Sequence, residues 1–280
     1  MKFAFSSNAF RQHTLSEAIT AVADAGYGGI EIMCDRPHAY PPDLSPQDVG
    51  AIQLALEENH LAVSNLNAFM LCAIEDFHHP SWIEIDPVYR EQRVTYTLDC
   101  IDLVRPLGSH TLSTEPGGPL VGMSRDAAVE VFMSGLARAA KRAASTGVTL
   151  LIEPEPGLLI ETSNEFLDFM DAYGKRFGDA GVGLNLDVGH FYCMGEDPAD
   201  AVVALKDHVR HVHLEDIPES REHRHVQFGE GGVDVPGVLN ALDRIGYDGF
   251  ITVELYPYQD DAPATAVKAM EYLLRITANG

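Results

Sequence analysis

Val148-Thr149-Leu150-Leu151-Ile152-Glu153, then a helical pattern near 163–174, then Gly183-Leu184-Asn185-Leu186-Asp187 make one β-α-β unit in which both strands end on a carboxylate. The strands are short and alternate with period two, while the segment between them carries the 3.6-residue period of a helix. Parallel neighbours need such a crossover, because a tight turn cannot bring the chain back to the same end of a sheet. The same grammar extends outward in both directions. Strand patterns occupy Phe3–Ser7, Gly29–Met33, Ala62–Asn67, Ser109–Ser113, Val148–Glu153, Gly183–Asp187, Val209–Leu214 and Phe250–Leu255. Helical patterns lie near 15–25, 46–59, 91–106, 125–146, 163–174, 198–207, 234–245 and 264–277. Eight β-α units in series predict an α/β protein, a closed (β/α)8 TIM barrel, as a single domain over residues 1–280. The competing architecture, an open doubly wound sheet, usually carries a glycine-rich phosphate turn after its first strand. None follows Phe3–Ser7.

Helix ends agree with this count. Thr14 and Ser16 stand at the first helix start and Gly26 after its end; Ser124 precedes a helix that stops before Gly147; Ser163 opens another and Gly246 closes one. One turn solution is used twice, as Ala25-Gly26-Tyr27-Gly28-Gly29 and Ile245-Gly246-Tyr247-Asp248-Gly249, each a helix C-cap feeding a strand. One connection is long. Ala68 to Arg90 separates the third strand from the next helix and carries Phe77, His78, His79 and Trp82. It follows a strand, so it belongs to the face where barrel enzymes keep their sites, and long ordered loops there act as lids.

Composition excludes several classes of function. Hydrophobic residues make up 46% and charged residues 22% of 280, as in ordinary globular domains. No run of about 20 apolar residues is present, so no membrane span is expected. The N-terminus lacks the apolar core of a secretory signal, and a cytoplasmic location is expected. The four cysteines are far apart and form no CxxC pair, which argues for incidental thiols in a reducing compartment. The net charge is −23, and the 19 basic residues are scattered apart from Arg221 to His225. Nucleic acid would meet like-charge repulsion and is discounted as a partner.

Side-chain alternation locates the chemistry. A barrel strand turns one face to the helices and the other inward. Ile30 and Ile32 alternate around Glu31, and Glu153 falls opposite Leu150 and Ile152. Leu184 and Leu186 oppose Asn185 and Asp187; Val212 and Leu214 oppose His211 and His213; Ile251 and Val253 oppose Thr252 and Glu254. Four consecutive strands thus each point an ionisable group inward at the catalytic end. Taken singly, a strand-end carboxylate is more often a helix cap and a strand histidine a core residue. Taken together, three buried carboxylates would repel one another unless a cation joined them. One divalent metal with Glu153, Asp187, His213 and Glu254 as ligands satisfies all four. One nitrogen among many oxygens suits Mn²⁺ first, with Mg²⁺, Co²⁺ or Zn²⁺ as alternatives.

Leu151-Ile152-Glu153-Pro154, Asn185-Leu186-Asp187-Val188-Gly189-His190, His211-Val212-His213-Leu214-Glu215-Asp216, Gly229-Glu230-Gly231-Gly232-Val233-Asp234 and Val253-Glu254 are specific as an ordered set. In them the chain resembles the xylose isomerase-like TIM-barrel superfamily of sugar isomerases and epimerases. The resemblance to ketose 3-epimerases implies metal binding by Glu153, Asp187, His213 and Glu254. It also implies an acid–base pair in Glu153 and Glu254, and a substrate contact from His190. In endonuclease IV, a DNA-repair relative, residues matching His190, His223 and His225 help hold a further ion. Its two early histidine ligands have no counterpart; Asn67 and the Ser109–Glu115 region stand in their place. With the charge of −23, that departure argues against a phosphodiesterase.

The expected function is therefore a sugar or keto-polyol isomerase or epimerase that works by proton abstraction next to a carbonyl. The cation spreads the charge of the enediolate while two glutamates move the proton. An inosose-type or dehydroshikimate-type dehydratase needs the same abstraction followed by loss of a β-hydroxyl, and remains the alternative. His225 and Trp82 are further expected substrate contacts, from the loop after the seventh strand and from the long loop. The expected partner is a small sugar or polyol, and a homo-oligomer is compatible with the chain.

Overall fold

The computed structural model describes residues 1–178 and 181–278, so residues 179, 180, 279 and 280 of the expected 1–280 unit lie outside the described residues. Its eight strands are β1 (Lys2–Ser6), β2 (Gly29–Met33), β3 (Ala62–Asn67), β4 (Thr111–Thr114), β5 (Thr149–Ile152), β6 (Val182–Asp187), β7 (Val209–Leu214) and β8 (Phe250–Val253). They pair in parallel, in sequence order, and β8 closes on β1. The chain is a single (β/α)8 TIM barrel. Glu153 and Glu254 fall one residue beyond their regular strands, yet their backbone amides still donate to Thr114 O and Leu214 O. They therefore keep the pleat that aims them inward.

The helices are α1 (Leu15–Asp24), α2 (Pro46–Glu58), α3 (Pro87–Val104), α4 (Arg125–Thr146), α5 (Ser163–Phe177), α6 (Val188–Cys193), α7 (Pro198–Ala204), α8 (Val235–Arg244) and α9 (Ala262–Thr277). Capping boxes fix three starts: Thr14 with Glu17, Ser45 with Asp48, and Thr162 with Glu165. Two elements differ from the sequence reading. Helix α3 begins four residues earlier than its expected start near 91, because Asp86 caps Val88 N and Pro87 suits the first helical position. Helix α6 was not foreseen. It spans six residues, too few to show a period, and forms because Asp187 accepts a hydrogen bond from His190 N at 2.9 Å. The outward leucines, valines and isoleucines of the strands pack with the helices in one core that runs around the barrel. Among the described residues no helix is long and apolar enough to cross a membrane.

The loop from Ala68 to Asp86 lies across the top of the barrel. Its anchor is Arg93 on α3, a fully buried guanidinium. It donates to Pro80 O at 2.8 Å, Ala68 O at 3.0 Å and Phe69 O at 2.9 Å, and lies 3.6 Å from Glu115. Burial pushes the Glu115 carboxyl up to about 7 even against the pull of Arg93.

Trp82 corrects an expectation. It does not line the pocket but is completely buried beneath the loop. Its indole N–H donates to Thr114 Oγ1 at 2.9 Å and its ring sits edge-on to Phe132 of α4, 5.9 Å between centroids. Truncating a fully buried tryptophan costs about 3–5 kcal/mol, so this side chain pins the loop to the barrel wall. The residues of the loop that do reach the pocket are Phe69, Met70 and Phe77.

Candidate metal centre

Register brings the four inward groups together. Asp187 on β6 pairs with His213 on β7, and His213 pairs with Thr252 on β8, two residues before Glu254. One ligand atom from each of Glu153, Asp187, His213 and Glu254 lies within 4.8 Å of the others. His213 Nδ1 is 3.1 Å from Glu153 Oε1, 3.5 Å from Glu254 Oε2 and 3.6 Å from Asp187 Oδ2. Three acceptor oxygens converge on one nitrogen, and among the described residues no second donor is shared by all three. Asp187 Oδ2 is buried and has no hydrogen-bond partner among the described residues. An orphaned carboxylate oxygen inside a barrel is costly, and a divalent cation is the partner these donors fit. The set offers oxygens and one imidazole, suited to a hard or borderline ion.

Electrostatics follow from this crowding. Burial raises the Glu153 and Glu254 carboxyls, which His213 only partly offsets. Burial also acts against the charged form of Asp187, but His190, His213 and His225 outweigh it and hold that carboxyl well below the usual range. Burial alone would depress His213; Glu31, Glu254 and Glu153 together raise it well above an ordinary imidazole. Positive charge is thus drawn to the point where a cation would sit.

Each of the two glutamates is also oriented. Asn185 Nδ2 donates to Glu153 Oε2 at 2.8 Å, and Asn8 Nδ2 donates to Glu254 Oε1 at 2.7 Å. One oxygen is pinned in each carboxylate and the other faces the His213 nitrogen.

Glu31 is the main residue that alternation did not assign. It is fully buried on the barrel floor. It accepts from His213 Nε2 at 2.7 Å, Ser6 Oγ at 2.8 Å and Asn65 Nδ2 at 2.8 Å, and lies 3.3 Å from His211 Nε2. Burial opposes its charge, but the two histidines hold its carboxyl well below the usual range. With Nε2–H given to Glu31, Nδ1 is the nitrogen left to face Glu153, Asp187 and Glu254. Such a carboxylate behind a histidine ligand fixes the ring and its tautomer. Glu31→Gln is expected to weaken divalent-metal affinity on the order of 10–100-fold, read by calorimetric titration of apo protein. Unchanged affinity would reduce Glu31 to a filler of the barrel floor. The signal in Ile30-Glu31-Ile32 was present, an acidic residue inward on a strand. Its partner was not, because β2 and β7 meet only through barrel closure.

Above the four groups, His190, His223 and His225 form a second cluster, with ring centroids 4.7 to 5.8 Å apart. His190 Nδ1 donates to Pro154 O and His225 Nδ1 to Glu254 O, both at 2.9 Å. His190 and His223 line a small pocket together with Glu153, Glu155 and Glu254. His225 stands just behind it, and its Nε2 has no hydrogen-bond partner among the described residues. Burial depresses His190 to about 3 and His225 to about 4, so both are neutral imidazoles here. The glycine-rich segment turns around Asp216, which accepts from Gly229 N at 2.9 Å, Gly231 N at 3.0 Å and Val233 N at 3.0 Å. A side chain at Gly231 would meet Ile217 O at 2.1 Å, which explains the glycine. His79, carried by the long loop, pairs with Glu84 at 2.5 Å and does not line the pocket.

The sequence profile of the family described as xylose isomerase-like TIM barrel matches residues 19–276. An inosose dehydratase of Lacticaseibacillus casei is 24% identical over 94% of this chain and 90% of its own. A crystal structure of a D-tagatose 3-epimerase-like protein superposes with a TM-score of 0.81 at 22% identity, covering 99% of this chain and 97% of the other. The IolI protein, in a crystal structure with a bound zinc atom, superposes with a TM-score of 0.77 at 17% identity over 100% and 99% of the two chains. At these identities the superpositions speak for the fold.

Proposed function

The chain belongs to the xylose isomerase-like TIM-barrel family, and from that premise we propose that it is a divalent-metal enzyme that removes a proton from the carbon next to a carbonyl of a sugar or keto-polyol. The observation that carries this reading is the convergence of Glu153, Asp187, His213 and Glu254 on one point, with Asp187 Oδ2 left without a partner. Those four residues would hold the ion, Mn²⁺ being the proposed one. When bound, it supplies Lewis-acid stabilisation of charge developing on the carbonyl oxygen. Glu153 and Glu254 are the proposed proton carriers, each with one oxygen fixed by an asparagine amide and the other facing inward. His190 and His225 are the proposed substrate contacts; with each Nδ1–H given to a backbone carbonyl, Nε2 is the acceptor left for a hydroxyl group. Phe69, Met70 and Phe77 exclude water from the cavity.

Return of the proton to the same or a neighbouring carbon gives an isomerase or epimerase, which is the reading we favour. A second outcome, loss of a β-hydroxyl to give a dehydratase, is supported by the full-length similarity to the L. casei inosose dehydratase. The test is one assay: metal-loaded protein with a panel of keto-sugars and keto-inositols in deuterated water, followed by NMR. Deuterium is expected at the carbon next to the carbonyl. An epimeric or isomeric product marks the first outcome, and an unsaturated product lacking one water marks the second. Fully metal-loaded protein that exchanges no such proton in any of these substrates would sink the proposal.

A further inference from the structure

We infer that the substrate carries neither phosphate nor carboxylate, and that the side chain of Glu155 recognises its hydroxyl groups. This rests on the proposed function for the location of the site, but on different residues. The first observation is the charge of the cavity. Three carboxylates line it, Glu153, Glu155 and Glu254, and among the described residues no lysine or arginine does. Arg93 is buried behind the loop and committed to three backbone carbonyls. Arg221 stacks on Tyr192 at 4.8 Å and donates to Tyr192 O. A bound cation would at most offset the carboxylates that hold it. A phosphate ester is held best by the cationic forks of arginine or the ammonium of lysine, and the described lining supplies neither.

The second observation concerns backbone donors. Barrels commonly hold phosphate with amides from the loops after strands seven and eight and from the start of a short extra helix. The loop after β7 is one such feature, and α6, which follows β6, is a short extra helix at the same end of the barrel; in both, amides are taken by the chain's own carboxylates. In the loop after β7, Gly229, Gly231 and Val233 donate to Asp216. At the start of α6, Gly189 donates to Glu215 and His190 to Asp187. In these two segments internal carboxylates already occupy amides that an external anion would need.

The third observation is Glu155 itself. Its residue is only 4% exposed. Its backbone is fixed through Ile160 O and Leu158 N, but its carboxyl oxygens take no hydrogen bond among the described residues; the imidazole of His223 approaches them, with Nδ1 at 3.9 Å. An unpartnered buried polar group is costly unless a ligand completes it. In either protonation state it offers an acceptor to a hydroxyl and no positive charge to an anion. The other wall, Phe69, Met70, Phe77 and Tyr256, suits the C–H face of a polyol.

The test is calorimetric binding to the metal-loaded protein by matched probes: D-fructose against D-fructose 6-phosphate, a keto-inositol against 3-dehydroshikimate, and inorganic phosphate as competitor. The neutral member of at least one pair is expected to bind tenfold or more tightly than its anionic partner, and millimolar phosphate is expected not to compete. Glu155→Ala should weaken the neutral probe at least tenfold with metal content unchanged, and Glu155→Gln, which keeps an acceptor oxygen, should restore part of it. An anionic probe that binds as tightly as the neutral one overturns the inference, as does a Glu155→Ala protein with undiminished neutral binding or a panel of which no member binds. Deuterium exchange separates this from the proposed function: exchange in a phosphorylated ketose defeats the inference alone. Tight neutral binding with no exchange defeats the proposed function alone.

Discussion

Asp187→Ala protein, purified beside the parent and analysed for metals, is expected to lose its divalent ion, with affinity reduced by at least about 100-fold. The scale comes from neighbouring principles: loss of a hydrogen-bond partner behind a ligand already costs ~10–100-fold, and Asp187 is itself one of the four converging groups. Removing it takes away the oxygen that has no other partner, Asp187 Oδ2. The substitution also removes the cap on α6, where Asp187 accepts from His190 N, a local cost of about 1 kcal/mol. Asp187→Asn separates the two effects, because an amide oxygen keeps the cap and gives up the charge. Both variants are expected to lose the ion. A linked measurement needs no activity. Metal bound only to the folded state stabilises it by about 2.7 kcal/mol at a free concentration of 100 Kd. A chelator should therefore lower the melting temperature of the parent protein and leave that of Asp187→Ala where it was. Unchanged metal occupancy in the Ala variant would remove the central claim.

Glu254→Gln, assayed with metal content measured in the same sample, is expected to lower kcat on the order of 10²–10⁴-fold, the usual contribution of a positioned acid or base, while KM moves only a few-fold. Glutamine keeps the shape and can still accept from Asn8 Nδ2 through its amide oxygen, so the change isolates charge and proton transfer. Glu153→Gln should act alike, since Asn185 pins that side chain in the same manner. A collapse of kcat accompanied by loss of the ion counts as a ligand effect, so the comparison is made at saturating metal. Near-normal kcat in a fully loaded variant would show that the residue in question does not carry the proton.

The barrel and its inward carboxylates were legible in the chain because both are written in local periodicity. Alternation along Gly183–Asp187 or Val209–Leu214 tells which side chains share a face, whatever the rest of the molecule does. The eight β-α units left one closed solution, and the strand ends of its second half could be listed before any distance was known. Trp82 shows where such reasoning stops. Its place in a long loop after β3 suggested a cover for the substrate, yet it packs against Phe132. Nothing within its own segment says which of two faces an aromatic ring will take. The loop's true anchor, Arg93, lies on the following helix and acts through backbone carbonyls, which sequence does not distinguish.

Glu31, Glu155 and Asp216 are a further case. All three are acidic residues in strands or just beyond their ends, and they do three different things. Glu31 meets His213 across 182 residues of chain. Asp216 folds the glycine turn onto itself, and Glu155 stands in the cavity with its oxygens unpaired. The sequence by itself determined the eight-stranded architecture, the end of the barrel that bears the ionisable groups, and Glu153, Asp187, His213 and Glu254 as the groups to examine. Only the tertiary structure decided which nitrogen of His213 faces them, what stands behind it, which backbone amides are already occupied, and which carboxylate is left open. The physical reason is that periodicity is a property of consecutive residues, whereas a hydrogen bond across a closed barrel depends on strand register and closure summed over the whole chain.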